Sequence, residues 1–343
     1  MKKIQLGSSG LMVSQLCLGT MTFSTSDEGG CNMWGLPTAS RDDSLEMMNA
    51  FRDAGGNFID TADVYGPGSS EEVVGMWLGA QDDRDAFVVA TKVGGAAGKA
   101  GRGLSRKNIM SGVGKSLKRL GLEKIDLYQA HVWDGETKME ETLVAFDDVV
   151  RGGYADYIGL SNWTGAQITQ AVYMAKALGL NIPWASLQPQ YSLLCRETEH
   201  ELIPVAQEHG MAILPWSPLK GGWLTGKFTR GMEAPGEGSR VEWAERAGWS
   251  ATSFSALANE KTWGVIDALT GIAEELDTSP AAVALRWLMQ QSGTVIPIVG
   301  AKRMEHLVSN LQAASISLSD DHMSSLTFAS SIDLPYPYFL QAE

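Results

Sequence analysis

Short apolar runs recur through this chain at intervals of about 30 residues, and no other feature narrows the available folds as much. The runs that read as strands are Gln15–Leu18, Asn57–Asp60, Phe87–Thr91, Ile125–Gln129, Asp156–Leu160, Ala185–Gln188, Met211–Leu214 and Val295–Ile298. Their spacing suits a repeated strand–helix unit, from which parallel sheets are built. Apolar residues at helical spacing lie between them. Examples are Leu45, Met48 and Phe51 in Ser44–Ala54, and Ile109, Val113, Leu117 and Leu120 in Ser105–Leu120. Met139–Val150 and Lys261–Leu276 carry similar stripes, which read as core-facing sides of helices.

Eight strands with intervening helices predict the α/β class, a single (β/α)8 TIM barrel forming one domain over residues 1–343. A chain of 343 residues that is 44% hydrophobic can build such a core, and barrels of this size run as one unit. An open doubly wound sheet would favour G-x-G-x-x-G after its first strand. This chain has Gly19-Thr20-Met21-Thr22-Phe23 there. A small N-terminal hairpin is expected from Ile4–Leu6 and Leu11–Val13 around a Gly-Ser-Ser-Gly turn. The rhythm breaks before the eighth strand, where Gly231–Ser255 is rich in Gly, Glu, Ser and Trp. A loop of that length is more often a lid or binding loop than a plain connection.

Composition excludes several classes. A net charge of −13 argues against a nucleic-acid or anionic-membrane partner. The cysteines are Cys17, Cys31 and Cys195, with no CxxC pair, so a reducing, cytoplasmic setting is expected. No apolar run follows Lys2 and Lys3, and none approaches the roughly 20 residues that span a bilayer. Gly94-Gly95-Ala96-Ala97-Gly98-Lys99-Ala100 imitates a phosphate loop. Val93 stands where the motif needs its first glycine and Ala100 where it needs Ser or Thr, so it reads as an ordinary loop. The oligomeric state has no signature.

Barrel active sites gather at the C-terminal ends of the strands. Here the apolar runs give way to Asp60-Thr61-Ala62-Asp63-Val64-Tyr65-Gly66, Thr91-Lys92, Gln129-Ala130-His131, Ser161-Asn162-Trp163, Gln188-Pro189-Gln190 and Pro215-Trp216-Ser217-Pro218. Polar groups thus follow six successive strands on one face. With these motifs in this order, the sequence resembles the aldo-keto reductase superfamily from about Leu6 to Leu326, within it the bacterial branch related to potassium-channel β subunits.

That resemblance implies a catalytic tetrad of Asp60, Tyr65, Lys92 and His131. Taken alone, each has an ordinary explanation as a helix cap, a packing aromatic, a surface cation or a core histidine. Together they suit carbonyl reduction, which takes a hydride at carbon and a proton at oxygen. A phenol with its usual pKa near 10 is a sluggish acid at neutral pH, and a nearby ammonium lowers that pKa. Lys92 is expected to do this, Asp60 to hold Lys92, and His131 to orient the carbonyl. No metal is called for.

The resemblance also implies NADP(H) as cofactor. Gly19, Thr20 and Met21 match first-strand contacts, with Asp60 near the ribose. Ser161, Asn162 and Gln188 match the groups that bind the nicotinamide carboxamide, and Trp216 matches the aromatic that stacks on its ring. Ser217, Pro218, Leu219, Gly221 and Lys227 match the pyrophosphate loop. Gly300, Lys302, Arg303, His306 and Asn310 match the segment holding the adenosine 2′-phosphate and adenine, where two cations meet a helix start. His306 stands where the branch often has Gln, and Ser309 where it often has Glu, a side chain long enough to reach adenine. His131 stands where channel β subunits usually carry Asn, which favours a working reductase.

The expected partner is a small-molecule aldehyde or ketone. Phe23, Trp34, Trp133 and Trp223 are the pocket candidates, with Trp163, Trp243, Trp249 and Phe254 nearby in sequence or in the lid. Two other readings stay open: a redox-sensing NADPH-binding protein with slow turnover, and, more remotely, a barrel hydrolase using Asp60.

Overall fold

A computed structural model describes residues 1–32, 34–95 and 103–340. The chain opens with β1 (Lys3–Gln5) and β2 (Met12–Ser14), an antiparallel hairpin in which Ile4 faces Val13. It continues through β3 (Cys17–Gly19), a two-stranded excursion β4 (Gly30–Cys31) and β5 (Pro37–Thr38), α1 (Arg41–Asp53), β6 (Phe58–Asp60), α2 (Ser69–Gly79), β7 (Val88–Val93), α3 (Arg106–Leu120), β8 (Ile125–Ala130) and α4 (Met139–Arg151). Next come β9 (Ala155–Ser161), α5 (Gly165–Ala177), β10 (Trp184–Gln188), α6 (Leu202–Glu208), β11 (Ala212–Ile213) and α7 (Arg240–Arg246). The chain ends with α8 (Phe254–Leu257), α9 (Glu260–Glu275), α10 (Pro280–Met289), β12 (Ile298–Gly300), α11 (Met304–Leu311) and α12 (Asp320–Ala329).

Among the described residues, β11, β10, β9, β8, β7, β6, β3 and β12 are neighbours in that order, all parallel. The ring closes where Ile213 bridges Val295. The Ile213 amide donates to the Thr294 carbonyl at 2.8 Å, and the Ile296 amide to the Ile213 carbonyl at 2.9 Å. This is the (β/α)8 barrel expected from the spacing.

Inward positions fill its shaft. Cys17, Phe58, Val88, Ala90, Leu127, Ala212, Leu214, Ile296 and Ile298 form an inner cluster, and the hairpin adds Leu6 and Val13 as a floor. The alternate residues Leu18, Ile59, Val89 and Tyr128 pack outward against the helices.

Local chemistry explains where the boundaries moved. The first helix begins three residues before Ser44, because the Ser40 hydroxyl accepts from the Asp43 amide and caps it. The regular part of the eighth strand is Ile298–Gly300 rather than Val295–Ile298. Pro297 has no amide to donate and interrupts the ladder. The seventh strand shrinks to Ala212–Ile213, just ahead of Pro215. The phosphate-loop imitation lies, from Ala96 onward, outside the described residues. No helix among the described residues is long and apolar enough to cross a membrane.

Candidate active site

Side chains two apart on a strand share a face. Phe58, Ala90 and Leu127 point into the barrel, so Asp60, Lys92 and Gln129 follow them inward, one step nearer the C-terminal rim. Lys92 is fully buried. Its ammonium donates to Asp60 Oδ2 at 2.6 Å, to the Thr61 carbonyl at 2.8 Å and to Tyr65 Oη at 3.4 Å, which engages all three of its protons. The other Asp60 oxygen accepts from Gln188 Nε2 at 2.8 Å and Gln129 Nε2 at 3.2 Å. Burial works against the Lys92 charge, yet Asp60 and Tyr65 beside it carry its pKa above the ordinary lysine value.

Tyr65 sits on the loop after β6 and is 9% exposed. The sequence argument expected Lys92 to pull its acidity up. Burial pushes the phenol the other way and wins, with Asp60 adding to the rise against the pull of Lys92 and Arg240. The net shift is upward, so the phenol keeps its proton, a correction that charge counting could not supply. His131 faces Tyr65 edge-on, with ring centroids 6.0 Å apart. Burial, reinforced by Lys92, lowers its pKa to about 3, so the imidazole is neutral. Its Nδ1 has no hydrogen-bond partner among the described residues. Gly95 permits the ring's approach, since a Cβ there would lie 2.9 Å from Nδ1.

The rim between β9 and the loop after β11 is cross-linked. Trp216 Nε1 donates to Asn162 Oδ1 at 3.0 Å, and Asn162 Nδ2 donates to the His131 carbonyl at 2.9 Å and to Ser161 Oγ at 3.0 Å. Asn162 holds the left-handed φ of 58° that this residue type tolerates. Ser161 in turn donates to the Gln188 carbonyl at 2.8 Å. After Trp216 the backbone turns left-handed at Ser217 (φ 48°) and Lys220 (φ 49°), around buried Pro218 and beside Leu219 and Gly221. Such turned backbone presents N–H groups to anions. Lys227 Nζ lies 3.4 Å from His306 Nε2, and Arg303 Nη2 lies 2.9 Å from the same nitrogen, with Lys302 alongside. Gly300 pairs with Gly19 where β12 runs beside β3, and Met21 lies half-buried just beyond. A half-exposed indole, a turned loop and a basic cluster on one rim fit a dinucleotide carrying phosphates.

Four expected contacts are placed differently. Phe23 is buried in the main core and Trp223 in a satellite one. Trp223 stacks on Phe228 and Phe254 and donates to the Thr252 carbonyl at 3.0 Å. The segment before α9 folds back and seals it, so neither residue lines a pocket. Thr20 is buried, its hydroxyl engaged with Ser70 Oγ and the Asp60 carbonyl. Asn310 is buried and donates to the Gly300 carbonyl at 3.5 Å. Trp34 remains against Tyr65, centroids 6.3 Å apart, and Trp133 packs on buried Trp163. A Cβ on Gly35 would lie 3.4 Å from Trp243 Nε1, so α7 reaches the loop that carries Trp34.

Several residues at the site escaped sequence reasoning. Gln129 braces Asp60, beside Gln188, which was expected only as a nicotinamide contact. Asp63, whose Oδ1 is buried without a hydrogen-bond partner among the described residues, faces Glu71, Arg119 and Lys92. Arg240, exposed on α7, acts on Tyr65 through space. Only Gln129 had a readable signal, its place two residues after inward Leu127.

A closed parallel barrel with a buried lysine–aspartate pair beneath a tyrosine and a neutral histidine defines a class of barrel oxidoreductases. The chain belongs to the aldo/keto reductase family, whose model matches residues 15–330, and it is an oxidoreductase of that family. It is 33% identical to an aryl-alcohol dehydrogenase (NADP+) of Phanerodontia chrysosporium, over 96% of this chain and 86% of that protein. It is 35% identical to a putative voltage-gated potassium channel subunit beta of Schizosaccharomyces pombe, over 90% and 86%. It is 28% identical to norsolorinic acid reductase of Aspergillus flavus, over 98% and 82%.

Proposed function

We propose that this protein is an NADPH-dependent carbonyl reductase in which Tyr65 protonates the oxygen of an aldehyde or ketone. The observation that carries this reading is the buried Lys92 ammonium, held by Asp60 at 2.6 Å and donating to the Tyr65 phenol. NADPH, when bound, supplies the hydride for the carbonyl carbon. Trp216, Ser161, Asn162 and Gln188 would hold the nicotinamide, the Ser217–Lys227 loop the pyrophosphate, and Lys302 and Arg303 the 2′-phosphate. Gly19, Met21 and Gly300 would border the dinucleotide through their backbone.

Tyr65 holds its proton until negative charge grows on the carbonyl oxygen. The adjacent ammonium then stabilises the phenolate that remains. Asp60 braces the site through the three donors that its oxygens accept, from Lys92, Gln129 and Gln188. A neutral His131 can give one N–H to the same oxygen without a second full charge beside Lys92. Trp34 and Trp133 flank the entrance, and relatives named for aryl alcohols and norsolorinic acid favour an aromatic carbonyl compound. The unpaired cysteines favour a reducing, cytoplasmic setting.

Replacing Tyr65 by Phe should cut turnover by about 10²–10⁴-fold while NADPH still binds, as read by fluorescence and a steady-state assay. Near-normal turnover by that variant overturns the mechanism. The channel-subunit relative supports a second reading, a nucleotide binder with slow turnover. Stopped-flow oxidation of bound NADPH by an aromatic aldehyde separates the two: seconds favour the reductase, hours the binder.

A further inference from the structure

His306 has an unusual pair of neighbours. Its Nε2 lies within hydrogen-bond reach of two cations, Lys227 Nζ at 3.4 Å and Arg303 Nη2 at 2.9 Å. Neither cation can accept, so Nε2 must offer its lone pair to both, and the ring must be the neutral tautomer. The two donors come from different elements, the loop after β11 and the residue that begins α11. The charged groups facing the ring are Lys227 from the first, and Lys302, Arg303 and Glu305 from the second. Glu305 is already paired with Arg303 Nε at 2.9 Å. Three positive charges therefore converge on one neutral ring, and one acid partly offsets them.

We propose that His306 reads the 2′-phosphate of the dinucleotide by taking up a proton as the phosphate binds. A phosphate dianion would draw Lys227 and Arg303 onto its own oxygens, because charge-assisted bonds to phosphate are stronger than bonds to a neutral imidazole. Nε2 then loses both donors and gains an anion. Solvent supplies one proton, the ring becomes imidazolium, and its N–H adds a further charged donor to the phosphate. Burial and the cations now hold the ring below the ordinary histidine value. Bringing in the anion offsets the cations' part of that pressure and gives the imidazolium a charged partner, against the burial that remains. The consequence is linkage: binding of the 2′-phosphorylated dinucleotide tightens as pH falls through the bound-state pKa, by up to about tenfold per pH unit. The form lacking the phosphate gains nothing. A glutamine at 306 could bridge the same cations but could not change charge.

This inference rests on the proposed placement of an NADP-type cofactor at the start of α11, and the test separates the two. Binding of NADP+ and NAD+ to wild type and His306→Gln is measured by calorimetry at pH 7 in buffers of different ionisation enthalpy, which counts the protons exchanged. The phosphate's own second ionisation lies near pH 6, so moving it among cations releases protons. Uptake by the ring has the opposite sign. Wild type should take up more protons with NADP+ than His306→Gln does, and neither should exchange protons with NAD+. Between pH 8 and pH 6 the NADP+/NAD+ affinity ratio should fall in the variant, as the free phosphate takes up its own proton, and should rise in wild type relative to it. Thermal melts check that the variant is folded. Equal proton counts in the two proteins, with NADP+ still preferred, overturn the role of His306 alone. Equal affinity for NADP+ and NAD+ overturns the cofactor placement and this inference with it.

Discussion

Glu71 clamps Arg119 at the back of the turn that carries Tyr65, its Oε2 lying 2.6 Å from Nε and 2.5 Å from Nη2. The other oxygen accepts from Thr91 Oγ1 at 2.6 Å. Arg119 lies across Gly68, where a Cβ would come within 2.6 Å of its Cδ, and the Gly68 amide donates to the Tyr65 carbonyl. α2, α3 and β7 thus meet behind one turn. Glu71 is fully buried while Arg119 keeps some solvent. Glu71→Ala should therefore cost about 3 kcal/mol, near the lower end for removing one partner of a buried pair. Urea denaturation reads that loss.

Lys92→Met should remove the charge that supports the phenolate and leave the Asp60 carboxylate with only its two glutamine donors. The expected outcome is a turnover loss of about 10²-fold or more, with NADPH affinity changed far less. Single-turnover kinetics against fluorescence titration measures the split. Loss of both together in equal measure would point to a purely structural lysine.

Asp63 gives a pH signature. Burial, with Glu71 adding to it, raises its pKa to about 7. The native state then binds more protons than the unfolded chain between the unfolded value near 4 and about 7, so this group's contribution makes stability fall as pH rises through that window. Asp63→Asn removes the penalty. Its melting temperature should match wild type near pH 4 and exceed it by roughly 2 °C or more at pH 8. A constant difference at all pH values contradicts the assignment.

Trp223→Ala should open a cavity among Phe228, Phe254 and Trp263 at a cost of about 3–5 kcal/mol. Because the ring lies in this satellite core, the Michaelis constants for small aldehydes should stay within about threefold of wild type once the variant is folded. A selective change in substrate preference would restore Trp223 to the pocket.

The barrel was legible because its strands are apolar, short and evenly spaced, and seven of the eight starts are met within a few residues. The eighth slipped because Pro297 breaks a ladder that hydropathy alone treats as continuous. Asp60, Lys92 and Gln129 stood at readable places, two residues past inward apolar neighbours. Asp63, Glu71, Arg119 and Arg240 did not, since they join elements far apart in sequence and follow no local period. Trp223 and Phe23 misled for a related reason: an aromatic next to a rim loop looks the same in sequence whether the loop opens over it or folds down upon it. The direction of the Tyr65 shift was also hidden, because charges can be counted in a sequence but desolvation cannot.

Leu6 and Val13 stopper the lower end of a shaft already packed with Phe58, Val88 and Leu127. Among the described residues the shaft is filled below Tyr65, so on the proposed function substrate and product share the upper rim. A bulky molecule seated over Trp34 and Tyr65 at that rim would therefore trap product as effectively as it bars substrate.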